Sequence, residues 1–280
     1  MSRASRLSAR DYQGLTALIT GASSGIGREL ALRLAQQGAR VGLVARRSRE
    51  LDALAREITN SGGWALALPC DVAVRAQVDE AAARVSAKLG DVDLLINNAG
   101  YGHHRPFLDW DVANMEQMLR VNLLGSIYWT KAVLPAMVSR RRGWLVFMAS
   151  VAGRIAPPDE SAYVASKFAM VGLAESLSIE VEDSGVHVLT VCPGAIRTPF
   201  FDEEALRRMP PVAKRSMVTP EALVDAILRA LSRGKRDLTY PRGIALAYPV
   251  RALLPGLFRR GVKRATSRAR TRGEGRAGDR

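Results

Sequence analysis

A phenol, an ammonium, a hydroxyl and a carboxamide lie along the middle of this 280-residue chain at spacings that let them act together. Tyr163 and Lys167 stand four residues apart in a stretch of helical character, which puts both side chains on one face, one turn apart. Ser150 ends an apolar run thirteen residues before Tyr163, and Asn122 lies in the helical stretch preceding that run. Taken singly these are ordinary: a tyrosine and lysine one turn apart usually mean nothing, and such an asparagine more often braces a helix. A second constellation sits near the N-terminus, where Thr20-Gly21-Ala22-Ser23-Ser24-Gly25-Ile26-Gly27 follows an apolar run and opens a helical one. Gly21, Gly25 and Gly27 permit a tight turn and close approach of the backbone to a pyrophosphate. The helix start adds free N–H groups and the positive end of its dipole. A glycine-rich turn without function is the plainer reading, and G-x-x-x-G-x-G is not the common dinucleotide fingerprint.

The elements that must carry these residues alternate. Short aliphatic and β-branched runs at 15–20, 40–45, 64–68, 93–96, 144–149 and 187–191 predict strands buried on both faces. Helical stretches at 27–37, 72–89, 115–138 and 162–182 lie between them, and a late helix opens at Thr219-Pro220-Glu221 with Thr219 as N-cap. With a seventh strand at 238–240, the pattern predicts one α/β domain, a doubly wound parallel sheet with helices on both faces. The end of the second strand then discriminates between the two nicotinamide dinucleotides. A carboxylate there would accept from a ribose 2′-hydroxyl and repel a 2′-phosphate. The chain instead reads Val44-Ala45-Arg46-Arg47-Ser48, so Arg46 offers a planar fork to a phosphate, with Arg47 or Ser48 in support. That favours NADP(H) over NAD(H), against the alternative of a solvated arginine pair.

The glycine turn, Asn97-Asn98-Ala99-Gly100, Asn122, Ser150, Tyr163-x-x-x-Lys167 and Pro193-Gly194 occur in an order that resembles the classical short-chain dehydrogenase/reductases, over roughly residues 14–235. The resemblance implies a Rossmann-like fold and interconversion of a ketone with a secondary alcohol. Tyr163 would be the general acid/base, and Ser150 would stabilise the charge on the substrate oxygen. A phenol titrates near about 10, and the Lys167 ammonium with an oxidised nicotinamide would favour its phenolate. By the same resemblance Lys167 and Tyr163 hold the nicotinamide ribose, and Asn122 holds a water that relays protons. Gly21, Ser23, Ser24, Gly25, Ile26 and Gly27 would hold phosphate, Asp71 the adenine and Asn98 the adenosine ribose. Ile196 and Thr198 would meet the carboxamide. It also implies a homo-dimer or homo-tetramer through the fourth and fifth helices.

Composition bounds the remaining possibilities. With 48% hydrophobic residues the chain is not predominantly disordered. The formal charge of +14 is confined to the ends: residues 1–10 hold three arginines, 233–280 hold fourteen bases against three acids, and 11–232 balance. The organisation expected is a basic tail at 1–13, a dinucleotide-binding and catalytic domain at 14–240, and a basic, partly apolar extension at 241–280. Residues 193–218, rich in proline, arginine and methionine, follow the sixth strand and read as a substrate lid or an ordinary surface loop. No secretory signal or spanning segment is evident, so the expected location is cytoplasmic. Residues 240–264 combine apolar side chains with arginines, which suits peripheral contact with anionic lipid. Cover for the active site, a subunit interface or a disordered end fit as well. Nucleic acid ranks last, because no aromatic platform interleaves with the arginines.

His103, His104 and His187 make no convincing metal site, and Cys70 and Cys192 read as buried small side chains. Two functions follow. One is an NADP(H)-dependent oxidoreductase acting on a hydrophobic, lipid-like ketone or alcohol. The other is a non-catalytic NADP(H) sensor or scaffold that docks to a membrane or nucleic acid through its basic end. An intact Ser150, Tyr163, Lys167 and Asn122 set favours the first, because a binding module has no use for an acid–base tyrosine.

Overall fold

A computed structural model describes residue 7 and residues 12–201, 203–209 and 211–274, with the side chains of 204, 208, 212 and 266–274 outside that description. Arg3, Arg6 and Arg10 and the end of the basic run at 275–280 also lie outside the described residues. Seven strands alternate with helices: β1 (Thr16–Thr20), β2 (Arg40–Ala45), β3 (Trp64–Pro69), β4 (Leu94–Asn97), β5 (Gly143–Met148), β6 (Val186–Pro193) and β7 (Asp237–Tyr240). They form one parallel sheet in the order β3-β2-β1-β4-β5-β6-β7. The Rossmann-like reading is therefore what the chain adopts.

Alternation along each strand builds two cores. In β5, Trp144, Val146 and Met148 face one core while Leu145 and Phe147 face the other. The first core is closed by α1 (Gly25–Gln36), α2 (Ser48–Asn60) and α9 (Pro220–Ser232); the second by α3 (Arg75–Leu89), α5 (Gly125–Ser139) and α6 (Ser161–Glu180). Thr219 caps α9, its hydroxyl accepting from Ala222 N at 3.3 Å. Leu7 and Tyr12, inside the segment read as a tail, are buried in the first core, and Leu7 N donates to Leu231 O at 3.2 Å.

The helix read as continuous over 115–138 is two helices. α4 (Val112–Leu119) and α5 are joined by a π-helical turn at Arg120–Leu124, which contains Asn122. An extra residue in the turn rotates the register, which sequence periodicity cannot show. The proline-rich segment carries α7 (Glu203–Arg208) and α8 (Pro211–Arg215), and a bridge between Ile196 and Val218 closes its base. After β7 come a 3₁₀ turn, α10 (Ala247–Leu253) and α11 (Pro255–Glu274). No helix among the described residues is long and apolar enough to cross a membrane.

The strand order reverses between β1 and β4, so the crevice at their carboxyl ends is the natural ligand site.

Candidate active site

The glycine turn occupies that crevice. Gly21 and Gly25 have φ of 68° and 56°, the left-handed region that side chains disfavour. A Cβ on Gly27 would overlap Gly21 O and come within 2.7 Å of Asn98 Nδ2. One on Gly21 would lie 2.9 Å from Ala99 Cα. The turn is thus a bare backbone surface at the start of α1, where Ser24 makes no side-chain cap bond and no acid occupies the first turn. Such a cradle fits a pyrophosphate. Asn98 braces it: Nδ2 donates to Thr20 O at 2.9 Å, and the N–H groups of Asn98 and Ala99 donate to Thr20 Oγ1. Thr198, from the start of the proline-rich segment, packs its methyl group beside Gly25.

At the end of β2 the arginine that meets the turn is Arg47. Its Nη2 donates to Ser23 Oγ and Ser24 Oγ, each at 2.8 Å. Arg46 is exposed beside it. Burial pushes the Tyr101 phenol up, and the Arg46 charge pulls it partly back. Sequence reasoning centred on Arg46 and gave Arg47 a supporting role. Asp71 sits beyond β3, its Oδ1 accepting from Ala73 N at 3.0 Å.

The four middle residues do converge. Tyr163 and Lys167 are buried on one face of α6, with Lys167 Nζ 5.6 Å from the Tyr163 ring centroid and donating to Met148 O at 2.8 Å. Ser150, just past the end of β5, accepts from Ala152 N at 3.1 Å and lies near enough to the Tyr163 phenol to pull it down. Burial pushes that phenol well above its usual range, outweighing the pull of Ser150. Lys167 is pulled down to about 8 by the same desolvation. Among the chain's own groups, removal from water is the largest influence on Tyr163.

Asn122 is held tightly. Its Oδ1 accepts from Tyr101 N at 3.0 Å, and Nδ2 donates to Tyr101 O at 2.9 Å and Ser166 Oγ at 3.0 Å. Ser166 Oγ in turn donates to Tyr163 O at 2.7 Å. Gly100 fits between Asn122 and Lys167, since a Cβ there would lie 3.1 Å from Asn122 Oδ1 and 3.4 Å from Lys167 Nζ.

An aromatic wall rises over Tyr163. Phe200 stands 5.7 Å from its ring, Phe201 follows at 5.0 Å, and His104 stacks on Phe201 at 6.4 Å. His104 Nδ1 also meets Glu160 Oε1 at 3.0 Å. Tyr101, Trp110 and Met115 complete an apolar cluster around Tyr163 and Met118. Sequence reasoning gave His103 and His104 only a minority role and missed Phe200, Trp110 and Ser166. Two aromatics beside Pro199 were the available signal. The described residues hold no group of three or more metal-ligating side chains. Burial raises the thiols of Cys70 to about 12 and Cys192 to about 11, so neither is an activated thiolate.

A doubly wound parallel sheet, with a glycine cradle at its switch point, defines a dinucleotide-binding protein of the Rossmann type. The family model for short chain dehydrogenase matches residues 15–208. Among curated relatives, Oxidoreductase UcpA of Salmonella typhimurium is 40% identical over 219 residues, 78% of this chain and 80% of that one. The 3-ketodihydrosphingosine reductase of Bos taurus is 35% identical over 232 residues, 79% of this chain and 69% of that one. A solved metagenomic short-chain oxidoreductase in complex with NADP superposes with a TM-score of 0.70 at 30% identity, covering 83% of this chain and 98% of that one. The chain belongs to the short-chain dehydrogenase family and is an oxidoreductase.

Proposed function

We propose that the protein interconverts a ketone and a secondary alcohol with NADP(H), on an apolar small molecule. The observation that carries this is a buried Tyr163, with Lys167 Nζ 5.6 Å from its ring and Ser150 beside it, under an aromatic wall. Gly21, Ser23, Ser24, Gly25, Ile26 and Gly27 would hold the pyrophosphate, and Arg46 and Arg47 the 2′-phosphate. Asp71 and Asn98 would hold the adenosine end, Ile196 and Thr198 the carboxamide. When bound, the dinucleotide supplies or accepts the hydride.

The chain's own part is proton handling. Because burial keeps the Tyr163 phenol protonated at neutral pH, it is set to give its proton to a carbonyl oxygen as that oxygen gains charge. Ser150 donates to the same oxygen. With its pKa near 8, Lys167 stays largely charged at neutral pH and favours the phenolate left behind. Asn122 acts by position, bracing Tyr101 and, through Ser166, the backbone of Tyr163; a water on the Asn122 turn would return the proton from solvent.

A phosphate-fitting arginine pair and the NADP complex of the related structure both support NADP(H) over NAD(H). The aromatic wall, and a relative with a keto compound in its name, support an apolar ketone. Self-association as a dimer or tetramer is proposed along α5 and α6, where Val138 and Ile179 remain exposed. The test is loss of reduced-nicotinamide absorbance over a panel of apolar ketones with NADPH and with NADH. Turnover preferring NADPH is expected; none with either nucleotide would leave the sensor reading standing.

A further inference from the structure

The chain continues past β7, and α10 and α11, which it builds there, place no residue in either core. α10 is seated firmly: Tyr248 OH meets Thr239 Oγ1 at 3.1 Å, Arg251 Nη1 donates to Arg154 O at 3.0 Å, and the Arg251 guanidinium lies 5.0 Å over Phe168. Arg154 is itself anchored to Glu175 and Asp237, each at 2.6 Å. α11 packs on α7 of the proline-rich segment. The extension is thus part of the carboxyl edge of the sheet, the edge on which the glycine turn and Tyr163 open.

Seated this way, it turns its apolar side chains outward. Twelve large apolar side chains are exposed among the described residues, and eight fall in two segments, 107–112 after β4 and 246–257 after β7. Leu108 is 93% exposed, Leu253 78% and Leu246 74%, with Phe107, Leu254 and Leu257 also out. Scattered apolar residues need no explanation; eight concentrated on one edge do. Between α10 and α11 an open groove of about 470 Å³ is lined by Val250, Leu257, Phe258 and Val262 together with Arg260 and Arg264. Charge accompanies it. From Arg242 to Gly273 the sequence holds nine bases and no acid, and Arg259, Arg260, Lys263 and Arg264 are exposed on α11.

We propose that this carboxyl edge docks onto a bilayer containing anionic lipid, with the α10–α11 leucines and the Phe107–Leu108 loop in the acyl boundary and the α11 bases among the headgroups. An anionic interface is the partner that uses both features. Nucleic acid would use the bases and leave the leucines in water. A second copy would cover the leucines but bring two clusters of like charge together. Docking in this orientation turns the mouth of the active site toward the lipid, so an apolar substrate enters without crossing water. The surface itself stands independently of the nucleotide and of turnover.

The test is flotation of the full chain with phosphatidylcholine vesicles containing about 30% phosphatidylserine, against pure phosphatidylcholine. Each base at an anionic surface is worth about fivefold in affinity, so Arg259→Glu/Arg260→Glu/Lys263→Glu/Arg264→Glu is expected to weaken binding at least about 100-fold. Leu253→Ser/Leu257→Ser should weaken it at least about tenfold, and Leu108→Ser about threefold or more. All three alter exposed positions, so melting temperature and far-UV circular dichroism are expected to match the parent protein. Partition onto both vesicle types alike, no partition, or variants that bind like the parent would overturn the proposal. Tighter capture by duplex DNA or by an acidic protein than by the anionic vesicles would overturn it equally. No nucleotide is needed, so a failure here is separable from a failure of the ketone reading.

Discussion

Gly27→Ala isolates the phosphate cradle from everything else. The added Cβ would overlap Gly21 O, lie 2.9 Å from the Gly21 carbonyl carbon and 2.7 Å from Asn98 Nδ2. These are backbone and a clamped amide, not the ends of flexible side chains, so the start of α1 must move by a large part of an ångström. Overpacking of this kind costs about 1–3 kcal/mol, which in a domain of this size lowers the melting temperature by about 3–10 °C. The same displacement moves the α1 N–H groups off the phosphate, and losing one charge-assisted bond weakens binding about 10- to 100-fold. At a nucleotide concentration of about 100 times the parent Kd, ligand stabilises the parent by about 2.7 kcal/mol. A 100-fold weaker variant gains about 0.4 kcal/mol. The assay is a pair of melts, with and without NADPH. Gly172→Ala is the control, since its Cβ meets nothing within 4 Å on the exposed side of α6. It should gain about 0.5–1 kcal/mol from helix propensity and bind NADPH normally. If Gly27→Ala melts and binds like the parent, the cradle is misread.

Three further outcomes follow. Arg46→Asp should raise the Kd for NADPH at least about tenfold while leaving NADH within about threefold, measured by titration calorimetry. Lys167 has a folded pKa of about 8 against an ordinary value of 10.5, so the unfolded chain binds the extra proton between them and stability must rise with pH across that window. The difference in unfolding free energy between the parent and Lys167→Met should therefore climb by up to about 3 kcal/mol from pH 8 toward pH 10.5, and a flat difference would contradict the burial of a charged amine. Asn122→Ala leaves the Tyr101 N–H and C=O without their partners and should cost about 2–4 kcal/mol in chemical denaturation, and Asn122→Asp, which sets an oxygen against the Tyr101 carbonyl in place of a donor, should not recover that loss.

What could be read from the sequence was what is local. Tyr163 and Lys167 share a face because four residues make about one helical turn, and the glycine turn is recognisable because only glycine tolerates its backbone. The alternation of strands and helices carried the sheet for the same reason. What escaped depends on contacts distant in sequence. The π turn at Asn122 exists in the company of its bonds to Tyr101 and Ser166, 21 and 44 residues away. Which of two adjacent arginines reaches Ser23 and Ser24 depends on where α2 begins. His104 meets Glu160 across two loops, and Leu7 is buried through a bond to Leu231. The protonation of Tyr163 was argued from Lys167 and an oxidised nicotinamide, and burial, invisible in a local motif, adds an opposing push on the phenol.

The measurement closest to the central claim is steady-state reduction of an apolar ketone by NADPH with the parent protein and with Tyr163→Phe. Removal of the phenolic oxygen leaves the ring packed against Phe200 and the cradle untouched, so the variant should fold and still bind NADPH, losing only the phenol's hold on the nicotinamide ribose. Its kcat should fall about 10²- to 10⁴-fold, the contribution of a positioned proton donor. NADPH-dependent turnover by Tyr163→Phe at the parent rate would contradict the account.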